Sequence, residues 1–320
     1  MRPFRFSFNI FGLTTREAFV AQCREAEELG YDAVFSADHV GLAAPFAVLV
    51  SAAEATQRLA LGTLVLNVPF WTPALLAREI ATTDILTEGR LIVGLGAGHM
   101  KWEFDEAGIP WQPFAARAAA MEQMIGELER YFAGALAERS ARWPLPRPVQ
   151  RSGFGGFGPP LLIGGTGDRV LRIGARHAQI VGVAGVYQVK GQPPGTFRLA
   201  TAAEADERVR FARQCAGERA AEIEWHLLVQ AVVVTSDRRA AAAELIAAQV
   251  SEAERAGADT AGNVLTVDQA LETPFLLIGT PDEIADQLRK SRERWGFSFV
   301  TVHEPYMPVF APVLERLRGE

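Results

Sequence analysis

Short apolar runs alternate along the chain with longer stretches whose apolar residues recur at helical spacing. Phe4 to Asn9 reads as a first strand. A helix capped by Thr14 or Thr15 then runs to Leu29 and stops at Gly30. Ala33 to Ser36 is a second strand, and Phe46 to Ala55 is a helix of small residues. Leu59 to Val68 is a third strand, and Thr72 to Thr87 the next helix, with Pro73 in its first turn. Glu88 to His99 organises the pattern. Gly89 accepts the left-handed conformation that ends a helix, and Leu91 to Gly96 is a buried fourth strand. Gly94, Gly96 and Gly98 fall at every second position, an arrangement that lets a ligand lie against bare backbone.

After a long helix at Phe114 to Phe132, strands are expected at Leu161 to Ile163, Ile180 to Val183, Ile223 to Val234 and Phe297 to Val302. Helices are expected at Asp168 to His177, Ala202 to Ala216, Asp237 to Arg255, Pro281 to Trp295 with Thr280 as cap, and Pro308 to Leu317. Eight strand–helix units place the chain in the α/β class and leave two architectures, a closed (β/α)8 TIM barrel and an open doubly wound sheet. With no break in composition between halves, the barrel is the expectation. Residues 1–320 read as a single domain with insertion segments near 137–160, 184–201 and 256–273, where prolines and glycines crowd or regularity fails.

Composition narrows the function classes. An apolar share of 49% with 22% charged residues supports a large buried core. A net charge of −6 and the absence of any Lys/Arg run argue against a nucleic-acid partner. No signal-peptide pattern and no bilayer-length apolar stretch is seen, so a soluble, cytoplasmic protein without membrane contact is expected. Cys23 and Cys215 both fall in helical patterns and read as core-facing residues in a reducing compartment.

Ligands of a barrel bind at the C-terminal ends of its strands, so the residues just past each strand are the candidates. Asn9 follows the first strand, Asp38-His39 the second, Asn67 to Trp71 the third, His99 the fourth, Gly164 to Gly167 the fifth, and His303-Glu304 the eighth. In Asp38-His39 an imidazole that titrates near neutrality stands beside a carboxylate, which suits acid/base work. The same pair also reads as a helix-capping Asp with a space-filling His. Gly164-Gly165-Thr166-Gly167 opens a helix, where free N–H groups can hold an anion and the Thr166 hydroxyl adds a donor; a plain tight turn competes with that reading. No phosphate-loop lysine, dinucleotide fingerprint or serine-hydrolase elbow is present. The five histidines show no paired metal spacing, so no metal is expected, and His226 reads as a core or surface residue. An aldolase-type barrel would need a lysine at a strand end, which Lys101, Lys190 and Lys290 do not supply.

Several segments together resemble the bacterial luciferase-like family of flavin- and deazaflavin-dependent oxidoreductases. They are Phe35 to His39, Leu61 to Val68, Thr83 to Arg90, Leu91 to Gly98 with Glu103 to Pro110, Pro160 to Gly167 with Gly174 to Ala178, and Ile278 to Ile284, in family order along nearly the whole chain. The flavour is that of the coenzyme F420 branch, with FMN as the alternative cofactor. The resemblance implies a (β/α)8 barrel and hydride transfer at the strand C-termini, with Asp38 and His39 beside the ring and His39 as acid/base or positioning group. It implies further cofactor contacts at Asn67, Val68, Gly96, Ala97, Gly98 and His99, and phosphate-side contacts at Gly164, Gly165 and Thr166. The bulge supporting the ring is expected at Asn67-Val68, a bond commonly cis in deazaflavin members.

One departure stands out. The family's sugar-phosphate dehydrogenases carry a catalytic carboxylate in the turn after strand four, where this chain has Ala97-Gly98, and Glu103 lies too far along to replace it. That activity is therefore not expected here, and an apolar lining of Phe11, Phe70, Trp71 and Trp102, with Phe154 to Phe157 and Tyr187 from the insertions, suggests an uncharged or aromatic substrate. Rival readings are an FMN monooxygenase fed by a flavin or F420 reductase, and a non-catalytic cofactor-binding protein. A homodimer through the early helices is implied by the resemblance alone.

Overall fold

Eight parallel strands close on themselves. In the computed structural model, which describes residues 1–134, 146–255 and 263–320, the staves are Arg5–Ile10, Ala33–Ser36, Ala60–Thr63, Leu91–Gly96, Leu161–Gly165, Ile180–Val183, Glu224–Leu228 and Phe297–His303. Each pairs with its neighbour in chain order, and the last returns to the first through the register Asn9↔His303. The third and fourth join through Leu61↔Leu91. This is the TIM barrel, and the open sheet is excluded.

Ala33, Phe35, Ile92, Leu162, Ile180 and Phe299 fill the barrel interior. A larger apolar layer lies between strands and helices. Local chemistry sets the helix ends. Thr15 caps the first helix by accepting from Ala18 N at 3.2 Å. Thr280 and Glu283 form a reciprocal capping box at the start of Pro281–Trp295. Gly89, at φ +75°, ends the helix before the fourth strand.

Five expectations need correction. The third strand does not run unbroken to Val68. It stops at Thr63, turns through a cis bond at Leu64-Val65, and resumes as Leu66–Asn67 against Leu95 and Gly96. The cis bond therefore lies at Leu64-Val65, three residues before Asn67-Val68. Where the chain departs, Thr63 Oγ1 accepts from Gly94 N at 2.8 Å and donates to Gly94 O at 2.9 Å, a side chain standing in for the lost ladder.

The expected seventh strand is also two. Glu224–Leu228 belongs to the barrel, while Ala231–Val234 leaves it and pairs with Leu276–Gly279, a strand the apolar pattern missed. A short helix, Lys101–Glu106, occupies what read as loop. Cys215 is exposed; only Cys23 is buried.

Of the insertions, residues 137–145 and 256–262 lie outside the described residues. The segment after 146 is tied down by Asp84, whose buried carboxylate accepts from Val149 N and Gln150 N at 2.7 and 3.0 Å and from the Gln150 amide at 2.6 Å. Residues 186–199 hold an antiparallel hairpin, Val186–Gln188 with Phe197–Leu199. Among the described residues no helix is long and apolar enough to cross a membrane.

Candidate active site

The second strand delivers Asp38 and His39 to the barrel mouth, and two other elements fix them there. Asp38 Oδ2 accepts from Asn67 N at 3.0 Å and from the Trp71 indole N–H at 2.8 Å. Burial pushes its carboxyl up from the ordinary value, and those two donors work against that shift. His39 Nδ1 lies 2.7 Å from Glu103 Oε1, and Val40 N donates to the same oxygen at 3.3 Å. The Glu103 side chain is 1% exposed and that of His39 31%. This contact engages Nδ1 of the His39 ring, and Nε2 is the nitrogen left for proton exchange. Glu103 does reach the site after all. The helix 101–106 folds it back over His39, which the linear count along the chain could not reveal.

His99 follows the glycine turn and stands edge-on to His39, ring centroids 5.4 Å apart, and to Phe197 of the hairpin at 5.5 Å. Desolvation, with the charges of His39 and Arg117, moves its pKa down, and solvent at its open edge tempers the shift. Arg117 clamps the turn from below, donating to Ala97 O at 3.1 Å and to Gly98 O at 3.4 Å, and its guanidinium lies 3.6 Å from the centroid of Trp111.

The glycines do different work from that expected of them. A Cβ on Gly94 would sit 2.0 Å from Thr63 O, and one on Gly96 would sit 2.5 Å from Val65 Cγ2. Their bare faces receive this chain's own bulge. Gly98, at φ +75°, is covered by Asn67 Oδ1 and Phe104. Gly164 alone of the expected positions faces open space: a Cβ there would meet nothing nearer than Gly182 O at 3.9 Å. Gly165 is filled by Val170.

The Thr166 hydroxyl is no free donor, since it bonds Val186 O at 3.0 Å. The helix Asp168–His177 nonetheless begins at Gly167 with no side-chain cap, so its first N–H groups stay available to an anion. Asp168 in that first turn is paired with Arg208 at 2.6 Å.

The aromatic residues divide. Phe70 packs on Phe104 with centroids 5.3 Å apart, and Trp71 is held by Asp38 and Phe46. Phe11 and Trp102 are exposed beside the mouth, Phe11 against His303 at 4.8 Å. Phe154 belongs elsewhere, buried against Phe132. Val68 is buried in the outer core, whereas Leu64 and Val65 are half-buried against the inner cluster. A cleft lined by Asp206, Arg210, Arg213 and Arg294 lies at the opposite end of the barrel, where Arg294 is paired with Asp206 and Arg213 caps Trp295 O.

A closed barrel thus carries an imidazole–carboxylate pair and a half-exposed apolar step at its mouth. The chain belongs to the luciferase-like monooxygenase family, whose model matches residues 11–298. It is 37% identical over 116 residues to an F420-dependent glucose-6-phosphate dehydrogenase of Intrasporangium calvum, covering 33% of this chain and 35% of that protein. It is 26% identical over 136 residues to the oxygenase component of a flavin-dependent trigonelline monooxygenase of Acinetobacter baylyi, covering 41% and 38%. The chain thus spans little more than a third of these curated relatives. The coenzyme F420 dependent tetrahydromethanopterin reductase of Methanopyrus kandleri shares the fold, with a TM-score of 0.68 at 19% identity over 98% of this chain and 97% of that one.

Proposed function

We propose that the protein is an oxidoreductase that binds coenzyme F420 at the barrel mouth, with FMN as the alternative, and exchanges a hydride with an uncharged organic substrate. The observation that carries this reading is His39 held at the barrel mouth by the buried carboxylate of Glu103. The F420-dependent relative at 37% identity supports the cofactor.

The residues present fit such a group. Leu64 and Val65 give an apolar face to a flat ring, Gly164 leaves the mouth open, and the uncapped N-terminus at Gly167 suits an anionic tail. Bound there, the cofactor would supply the ring carbon or nitrogen for hydride transfer, chemistry no side chain has. The protein's own part is orientation and proton handling. Glu103 fixes the His39 ring, and Nε2 takes the proton that leaves the substrate's heteroatom on oxidation or returns it on reduction. Asp38 holds the Asn67–Trp71 turn, and Arg117 the turn at Ala97-Gly98.

Two cations near the mouth are paired, Lys101 with Asp105 and Arg198 with Glu204, which favours an uncharged substrate over a sugar phosphate. The whole chain is read as one domain, acting in the cytoplasm as a homodimer; the exposed Leu75, Ile85 and Leu86 on the helix 73–86 support the dimer. A reductase partner is needed only if reduced FMN is the working cofactor.

Separate titrations of the purified protein with F420 and FMN, followed by fluorescence, test the reading. Saturable binding of F420 in preference to FMN supports it. Oxygen-dependent turnover with reduced FMN and none with reduced F420 would replace it with a monooxygenase. Binding with no turnover affected by His39→Ala would replace it with a carrier.

A further inference from the structure

Inward positions of a (β/α)8 barrel are ordinarily filled in layers by bulky side chains. The middle of this barrel obeys, with Phe35, Ile92, Leu162, Ile180 and Phe299 in contact. The layer above does not. Strand alternation puts Gly164 and Gly182 on the same inner face as Leu162 and Ile180, and the two glycines are register partners. Gly182 leaves room for the His226 ring, whereas Gly164 looks onto open space.

On the first and eighth strands the interior face carries Ser7 and Thr301, then Asn9 and His303 one step nearer the mouth, each a register pair. The lower pair is satisfied: Ser7 Oγ and Thr301 Oγ1 are 2.6 Å apart, and Thr301 Oγ1 is 2.7 Å from His226 Nε2. The upper pair is not. Asn9 Oδ1 and His303 Nδ1 are buried and have no hydrogen-bond partner, and Asn9 is only 4% exposed. Turning the Asn9 amide over would place its NH2 in the same unpartnered position. A buried polar group left so destabilises the fold, a cost that an apolar residue of the same size would avoid. Asn67 Oδ1 is also unpartnered but is sealed under Gly98.

We propose that Asn9 and His303 form a hydrogen-bonding subsite in the floor of the barrel mouth. It takes an uncharged donor–acceptor group of the substrate, such as an amide or a hydroxyl, away from the reacting atoms at His39. Asn9 Oδ1 accepts the ligand's N–H or O–H, and His303 meets the neighbouring acceptor. Burial holds the His303 pKa down, so the subsite is neutral and disfavours a charged group. Its wall is anchored, because Glu304 accepts from Phe11 N at 2.6 Å, Gly12 N at 2.9 Å and the Gln22 amide at 2.9 Å, keeping Phe11 over His303. This deepens the oxidoreductase reading and rests on the mouth being the ligand site, whichever redox cofactor binds.

The test uses pyrrolidinone and cyclopentanone, rings of one size that differ by an N–H, titrated into protein carrying isotope-labelled histidine and followed by NMR. The His303 resonance, assigned from its absence in His303→Gln, is expected to move with the lactam, which binds about tenfold tighter than the ketone. Asn9→Leu is expected to erase that preference while melting at or above the wild-type temperature. Equal binding of the two probes, a stationary His303 resonance, or a preference that survives in Asn9→Leu would overturn the proposal. If Asn9→Leu fails to fold, the wild-type comparison decides alone. A lactam preference without F420 binding keeps the subsite and removes the redox reading; F420 binding without the preference does the reverse.

Discussion

His39 Nδ1 and Glu103 Oε1 lie 2.7 Å apart, joining a residue just past the second strand to a short helix after the fourth. The carboxylate is buried and the imidazole half-buried, so the pair can orient a proton-exchanging nitrogen while keeping it reachable. Glu103→Gln keeps the shape of the contact and removes the charge. Its expected effect is a fall of about a hundredfold in kcat for the proton-coupled reaction, with F420 affinity unchanged. Steady-state kinetics beside a fluorescence titration separate the two. An unaltered kcat would reduce Glu103 to a packing role.

The two classes of glycine make opposite predictions. Gly94→Ala drives a Cβ into the Thr63 carbonyl, so it should cost at least ~1–3 kcal/mol of stability. Gly164→Ala enters open space and should change stability by less than ~0.5 kcal/mol while weakening ligand binding. Urea melts of both variants check this; similar destabilisation in the two would show that the mouth is filled by the protein itself.

Trp71→Phe removes one of the two donors to the Asp38 carboxylate but leaves the packing on Phe46. The loss should be about 1 kcal/mol, and a larger loss at high pH than at low, because the donor stabilises the charged form. Melts at several pH values read both.

His226, fully enclosed in the barrel, is pushed from its ordinary 6.5 to about 3 by burial, with Arg5 adding to the effect. Between those values the unfolded chain binds a proton that the folded chain does not. The group's contribution is therefore complete above about pH 6.5 and is lost as pH falls toward 3, at up to ~1.4 kcal/mol per pH unit. His226→Gln should flatten the stability profile over that window. Equal slopes in wild type and variant would mean that other groups set the acid limb.

Much of the frame was readable from periodicity. The strand Ile180–Val183 and the helices Asp168–His177, Ala202–Ala216 and Pro281–Trp295 match their expected bounds, because apolar spacing and caps such as Thr280 are local signals. What escaped depends on contacts distant in sequence. No periodicity shows that Ala231–Val234 quits the barrel to pair with Leu276–Gly279. None shows that helix 101–106 swings Glu103 onto His39 across 64 positions. The glycine run at 94–98 signalled a close approach correctly, but only the fold reveals that the approaching group is Val65 and Asn67 of this chain.

Fluorescence titration of coenzyme F420 into the wild type and into Gly164→Leu, run side by side, reaches the centre of the account: a flat redox ring seated in the open mouth of the barrel. Saturable quenching by the wild type and none by a variant that melts at the same temperature is the predicted result. Equal binding by both proteins, or binding by neither, would contradict it.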